Sequence, residues 1–166
     1  MNIRQLEPQD AEVYFQIRLE ALYKNPEAFG SSYEEEKKET ADKYKERLQG
    51  TDSFIFGAFD DSKLVGVITL LTEKRMKLKH RATIVAMYVA PEKRGEGVAK
   101  ALMNEAINKA RTLEGIEQIH LTVVSSNIAA KKLYSSLGFE EYGTEKRALK
   151  IEETYLDEDF MVLFLR

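Results

Sequence analysis

No stretch constrains this chain more than the passage from Ala82 to Leu113, where a strand, a glycine-containing loop and a helix follow one another without a break. Residues 82–89 (Ala-Thr-Ile-Val-Ala-Met-Tyr-Val) read as a strand closed by Pro91. From about residue 97 to 113, Val98, Ala101, Leu102, Ala106, Ala110 and Leu113 trace one apolar stripe at helical spacing. The N–H groups that open such a helix lack intrahelical partners, and its macrodipole favours anions there. Gly95 and Gly97 carry no side chain to hold a phosphate away from those donors, and Arg94 adds a charged, multi-donor contact. The loop Arg94-Gly95-Glu96-Gly97-Val98-Ala99-Lys100 therefore reads as a pyrophosphate cradle. Taken alone, it reads equally well as a glycine turn entering an amphipathic helix.

The rest of the chain supplies the elements around that unit. Residues 2–6 form a short strand, and Pro8 and Asp10 open a helix carrying Val13, Ile17, Ala21 and Leu22 that stops at Asn25-Pro26. Residues 32–49 are expected as one very polar second helix closed by Gly50. Phe54–Phe59 and Leu64–Leu71 form a hairpin around Asp60-Asp61-Ser62-Lys63, and residues 73–79 make a charged loop. A strand at 117–124 leads to Asn127, which caps a short helix ending at Gly138, and two strands near 139–149 and 155–165 finish the chain. The order is strand, two helices, three strands, helix, strand, helix, two strands: an α/β (α+β) architecture of about seven strands and four helices. No linker divides it, and residues 1–166 are expected to be a single domain.

Composition excludes several classes of chemistry. With no cysteine, disulfides, thiol catalysis and thiolate metal sites are absent, and the two histidines, His80 and His120, lack metal-ligand spacing. A net charge of −3 gives no basic footprint for nucleic acid. No run approaches the roughly 20 apolar residues of a membrane span, and Met1-Asn2-Ile3-Arg4-Gln5 does not open a signal peptide. The expectation is a cytoplasmic, metal-free protein with no nucleic-acid or membrane partner.

A second constellation narrows the ligand. Neither the Gly-Lys-Ser/Thr of a Walker A loop nor the dinucleotide fingerprint is present, since Lys100 stands where the latter needs Gly or Ala. Asn127-Ile128-Ala129-Ala130-Lys131-Lys132-Leu133-Tyr134-Ser135-Ser136-Leu137-Gly138-Phe139 follows directly on a strand. Asn127 and Tyr134 lie about two helical turns apart on nearly the same face, and small Ala130 allows close approach. Together, Arg94-x-x-Gly97-x-Ala99 and Asn127-x-x-Ala130-x-x-x-Tyr134-x-x-x-Gly138-Phe139 resemble the motifs of the GNAT family of N-acetyltransferases. The specific motifs span roughly residues 86–139, and the element order is similar to that family's fold over essentially the whole chain.

The resemblance implies the acyl-CoA N-acyltransferase fold and acetyl-CoA as co-substrate, with no metal. It places the pantetheine arm against Met87, Tyr88 and Val89, in a gap between the fourth and fifth strands. It places the pyrophosphate on Arg94, Gly95, Glu96, Gly97, Val98, Ala99 and Lys100, assigns Asn127 to coenzyme contact, and adds Lys131 and Lys132 as phosphate contacts. Tyr134 is the implied catalytic residue, facing the thioester sulfur. An amine of a small molecule or a protein attacks directly in a ternary complex, and a backbone N–H near Val89 stabilises the oxyanion. Candidates to take the amine's proton are Glu34, Glu35, Glu36, His80 or a chain of waters. A homodimer is also consistent with the resemblance. The alternative is a non-catalytic CoA-binding regulatory module of the same fold; loss of Tyr134 or of the loop glycines would mark it, and both are present.

Overall fold

In the computed structural model, which describes residues 1–166, one mixed sheet of seven strands runs in the order β1-β2-β3-β4-β5-β7-β6. The strands are β1 (Asn2–Gln5), β2 (Ser53–Asp60), β3 (Lys63–Thr72), β4 (Arg81–Val89), β5 (Gln118–Val124), β6 (Glu140–Ile151) and β7 (Thr154–Phe164). Every neighbouring pair is antiparallel except β4 and β5, which are parallel because the helix α4 (Val98–Thr112) carries the chain back between them. The helices α1 (Ala11–Lys24), α2 (Tyr33–Glu36), α3 (Ala41–Gln49) and α5 (Ile128–Ser136) complete the fold. No helix is long and apolar enough to cross a membrane.

Two apolar cores lie on opposite faces of the sheet. On one, α4 buries Val98, Leu102, Met103, Ala106, Ile107 and Ala110 against Ile68, Leu70, Ile119 and Leu121. On the other, Tyr14, Ile17, Ala21 and Leu22 of α1 and Tyr44 of α3 pack on Ile55, Phe59, Leu64, Val67 and Tyr88. Full burial of such aliphatic side chains contributes about 1.5–3 kcal/mol each, so the faces of α1 and α4 are set by the sheet they cover.

The expected single helix over residues 32–49 is two. Ser32 and Glu35 form a capping box that starts α2, while Glu36 turns inward and accepts a hydrogen bond from the Tyr44 hydroxyl. Turns at residues 37–39 and Thr40 at the N-cap of α3 separate the pieces. A straight helix would keep Glu36 and Tyr44, eight residues apart, some 12 Å apart along its axis. The break brings them together.

β4 carries an irregularity that positions everything below. Val67 pairs with Tyr88 and Thr69 with Val85, so β4 uses one residue more than β3 across this interval. The extra residue is a bulge at Ala86–Met87, where Ala86 adopts the left-handed region with φ 55°. Bulges bend the strand that bears them, and this one bends β4 away from β5.

Candidate functional site

The ladder between β4 and β5 covers only Arg81–Gln118, Ala82–Ile119 and Thr83–His120. Past Thr83 the strands separate, while β5 stays paired to β7 as far as Val124–Glu158. Ala90 N–H donates to Val65 across β3, so the alternation of the strand turns the N–H and C=O of neighbouring Val89 toward the gap. Strand edges left unpaired inside a fold are costly unless something bonds to them. A cavity of about 600 Å³ fills the gap, walled by Met87, Tyr88 and Val89 on one side and Thr122, Val123 and Val124 on the other.

The glycine loop meets the cavity through Arg94 and Ala99, which flank it. Gly95 and Gly97 have φ 80° and 84°, and a Cβ at either would meet nothing within 4 Å. The loop thus presents bare backbone to open space, in a conformation most side chains avoid. Gly97 is the N-cap of α4 and supplies no side chain to the first N–H groups of that helix, of which Val98 is buried and Ala99 lines the cavity. These uncommitted donors, on a long helix whose first turn holds no acidic side chain, suit a pyrophosphate. Arg94 frames the loop: Nε donates to Val89 O at 2.9 Å and Nη2 to Asn25 Oδ1 at 2.7 Å, tying the end of α1 to the end of β4.

The helix α5 and its cap also line the cavity. Asn127 Oδ1 accepts from Ala130 N at 3.2 Å, which caps the helix and turns its first residues along the cavity wall. Two turns on, the Tyr134 ring packs near Phe139, with centroids 6.1 Å apart, and lines the cavity. Burial alone pushes the Tyr134 hydroxyl up to about 12, so it stays protonated at any working pH.

Of the residues expected from sequence, Met87, Tyr88, Val89, Arg94, Ala99, Asn127 and Tyr134 line this one cavity. Gly95, Glu96, Gly97, Val98 and Lys100 do not line it; they lie in the loop and first turn of α4 beside Arg94 and Ala99, with Val98 turned into the core. Lys131 stands elsewhere: its Nζ is 2.5 Å from Asp159 and 3.4 Å from Glu141. None of the expected proton acceptors borders the cavity. Glu34 pairs with Lys37, Glu35 is held in the capping box, Glu36 is buried against Tyr44, and His80 sits where the chain enters β4. The cavity's carboxylates are Glu27 and Glu158. Burial, with the neighbouring Glu145, raises the Glu158 pKa above the ordinary range. Glu158 gave no signal in sequence, since it sits in the acidic run Asp157-Glu158-Asp159, where only the alternation of β7 separates a cavity residue from its neighbours.

Residues 17–139 match the sequence model of the acetyltransferase (GNAT) family. An L-amino acid N-acetyltransferase of Escherichia coli is 33% identical over 61% of this chain and 62% of its own length. A spermidine N(1)-acetyltransferase of Vibrio cholerae is 31% identical over 57% of this chain and 53% of its own length. The matches span between 44% and 62% of the length of these and two further curated relatives. A Salmonella typhimurium protein solved with its cofactor acetyl-CoA superposes with a TM-score of 0.85 at 20% identity, covering 100% of this chain and 94% of that one.

Proposed function

The chain belongs to the acetyltransferase (GNAT) family, and on that premise we propose that it transfers an acetyl group from acetyl-CoA to an amine, by direct attack in a ternary complex. The observation that carries this reading is the edge of β4 left unpaired with β5 beyond Thr83, in a cavity that Ala99 of the first turn of α4 and Tyr134 also line. The Salmonella structure, which holds acetyl-CoA in the same fold, supports the choice of co-substrate. Bound there, acetyl-CoA supplies an activated thioester carbonyl.

The protein's own groups divide the remaining work. Backbone donors of Gly95, Gly97, Val98 and Ala99 hold the pyrophosphate, and the free edge of Met87–Val89 pairs with the amide-bearing arm. The Val89 N–H donates to the acetyl oxygen as negative charge grows there. Tyr134 donates to the sulfur as the C–S bond breaks. An alkyl amine is only about 0.04% neutral at pH 7, a deficit of about 4.6 kcal/mol, so a proton acceptor is needed. Glu158, whose raised pKa makes it a better base than an ordinary carboxylate, takes that proton directly or through water.

Calorimetric titration with acetyl-CoA tests the cofactor site. Wild type should bind with micromolar affinity, and Gly97→Glu, which sets a bulky anion in the cradle, should abolish binding while circular dichroism shows the fold retained. Absence of wild-type binding would overturn the reading. Binding without transfer to any amine would favour the regulatory module instead.

A further inference from the structure

A second cavity, of about 390 Å³, opens on the opposite side of β4 and shares Val85 and Ala86 with the first. The two meet at the bulge, so a molecule in the second cavity reaches the edge of the first at Ala86. Its charged wall residues are Arg18, Arg47 and Asp52, with Tyr14, Ser53 and Thr69 as the polar groups.

The arginines are incompletely partnered. Both approach Glu36, Arg18 Nη2 at 3.7 Å and Arg47 Nη2 at 3.8 Å, each beyond hydrogen-bond range. Glu36 itself is committed to the Tyr44 hydroxyl. Arg18 Nε and Nη1 are buried with no hydrogen-bond partner, although the Arg18 side chain is only 12% exposed. Its guanidinium lies 4.9 Å from the centre of the Phe29 ring, and that of Arg47 lies 4.5 Å from the centre of the Tyr44 ring, so each is held against an aromatic face. Asp52, the one anion on the wall, is 2.7 Å from Lys74 Nζ. Two arginines thus line the cavity with one shared carboxylate, Glu36, near both.

We propose that this cavity is the acceptor subsite and that Arg18 and Arg47 bind an oxyanion of the acceptor, a carboxylate or a phosphate, so that the preferred substrate is an amine that also carries a negative charge. The inference rests on the acetyltransferase reading and names the substrate class of that site. Guanidinium groups match the fork geometry of carboxylates and phosphates. The same pair repels a polyamine, whose cationic amines would lie against two cations, so selection works by exclusion as well as by attraction.

The test is steady-state release of free CoA thiol with a panel of acceptors: the common L-amino acids, their carboxamides, aminoalkyl phosphates and spermidine. In wild type, an oxyanion-bearing amine should exceed its uncharged counterpart in kcat/KM by about 30-fold or more. The amino acid and aminoalkyl phosphate arms decide between the two oxyanions. Arg18→Gln and Arg47→Gln should collapse the ratio of charged to uncharged acceptor toward one, and Arg18→Lys should retain part of it. Should spermidine or a carboxamide be used as well as the charged amines, or no oxyanion-bearing amine be used at all while acetyl-CoA binds, the inference falls and the acetyltransferase reading survives. Should calorimetry find no acetyl-CoA binding, both fall together. The wild-type comparison needs no variant to fold.

Discussion

Burial lifts the Tyr134 hydroxyl to about 12, whereas an ordinary thiol ionises near 8.5. Full proton transfer from Tyr134 to a departing thiolate would therefore be uphill by about 5 kcal/mol, so in the proposed mechanism the residue acts as a hydrogen-bond donor rather than as an acid. Removing one such donor should lower kcat about 100-fold, so Tyr134→Phe is expected to lose kcat with little change in the calorimetric affinity for acetyl-CoA. The pH profile of kcat/KM reads the other end of the reaction. Glu158 accepts a proton only when ionised, and its pKa lies above 4.5, so the acid limb of wild type should lie above the usual carboxylate range and vanish in Glu158→Gln. An unchanged acid limb in that variant would remove Glu158 from the mechanism. Spacing put Tyr134 on nearly the same helix face as Asn127, but its role was implied only by the resemblance of that segment to the family motif. Arg18 and Arg47 were not legible in sequence, because helical arginines at those spacings look like any solvated face until Glu36 and Tyr44 fold against them.

Among the elements, α5 is locked to β7 by a polar clasp. Asp159 is 2% exposed and accepts from Ser125 Oγ at 2.6 Å and Thr144 Oγ1 at 2.8 Å, with Lys131 beside it. Lys131, then Ser125, hold its pKa down at about 2, against an ordinary 3.8. A depressed acid stabilises the fold in full above its unfolded value and loses that contribution as pH falls through the folded one. Thermal midpoints of wild type should thus fall between about pH 4 and 2, and Asp159→Asn should flatten that dependence while costing about 1–3 kcal/mol at neutral pH. The hairpin β2–β3, the α4 stripe and the Asn127 cap were legible because turn residues and periodicity agree there. The split between α2 and α3 was hidden by an unbroken run of helix formers, and it is imposed by the buried contact of Glu36 with Tyr44. The bulge in β4 had no signal at all, since an alanine, not a glycine, occupies its left-handed position.

For the whole molecule, the gap between β4 and β5 concentrates unpaired backbone in one place. Acetyl-CoA binding should protect the amides of Met87 and Val89 and of the first turn of α4 from hydrogen exchange more than those of the β6–β7 hairpin. At 100 times the dissociation constant, it should stabilise the fold by about 2.7 kcal/mol. Uniform protection, or none at these positions, would place the ligand elsewhere. The count of seven strands, their succession along the chain and the overall class followed from reading strands and helices in turn; the splay was expected only through the family resemblance, because separation of two strands is a property of register and curvature that single-strand patterns do not carry.

The three-residue ladder between β4 and β5 also makes the sheet a pair of leaves joined along a short spine. Arg18, Arg47 and their supporting core belong to α1, α3 and the leaf of β1 to β4, whereas Tyr134 and Glu158 belong to α5 and the leaf of β5, β7 and β6. On the proposed mechanism, recognition of the acceptor and handling of the sulfur and the proton fall on separate leaves, so the first can be recut for a new amine while the second stands unchanged.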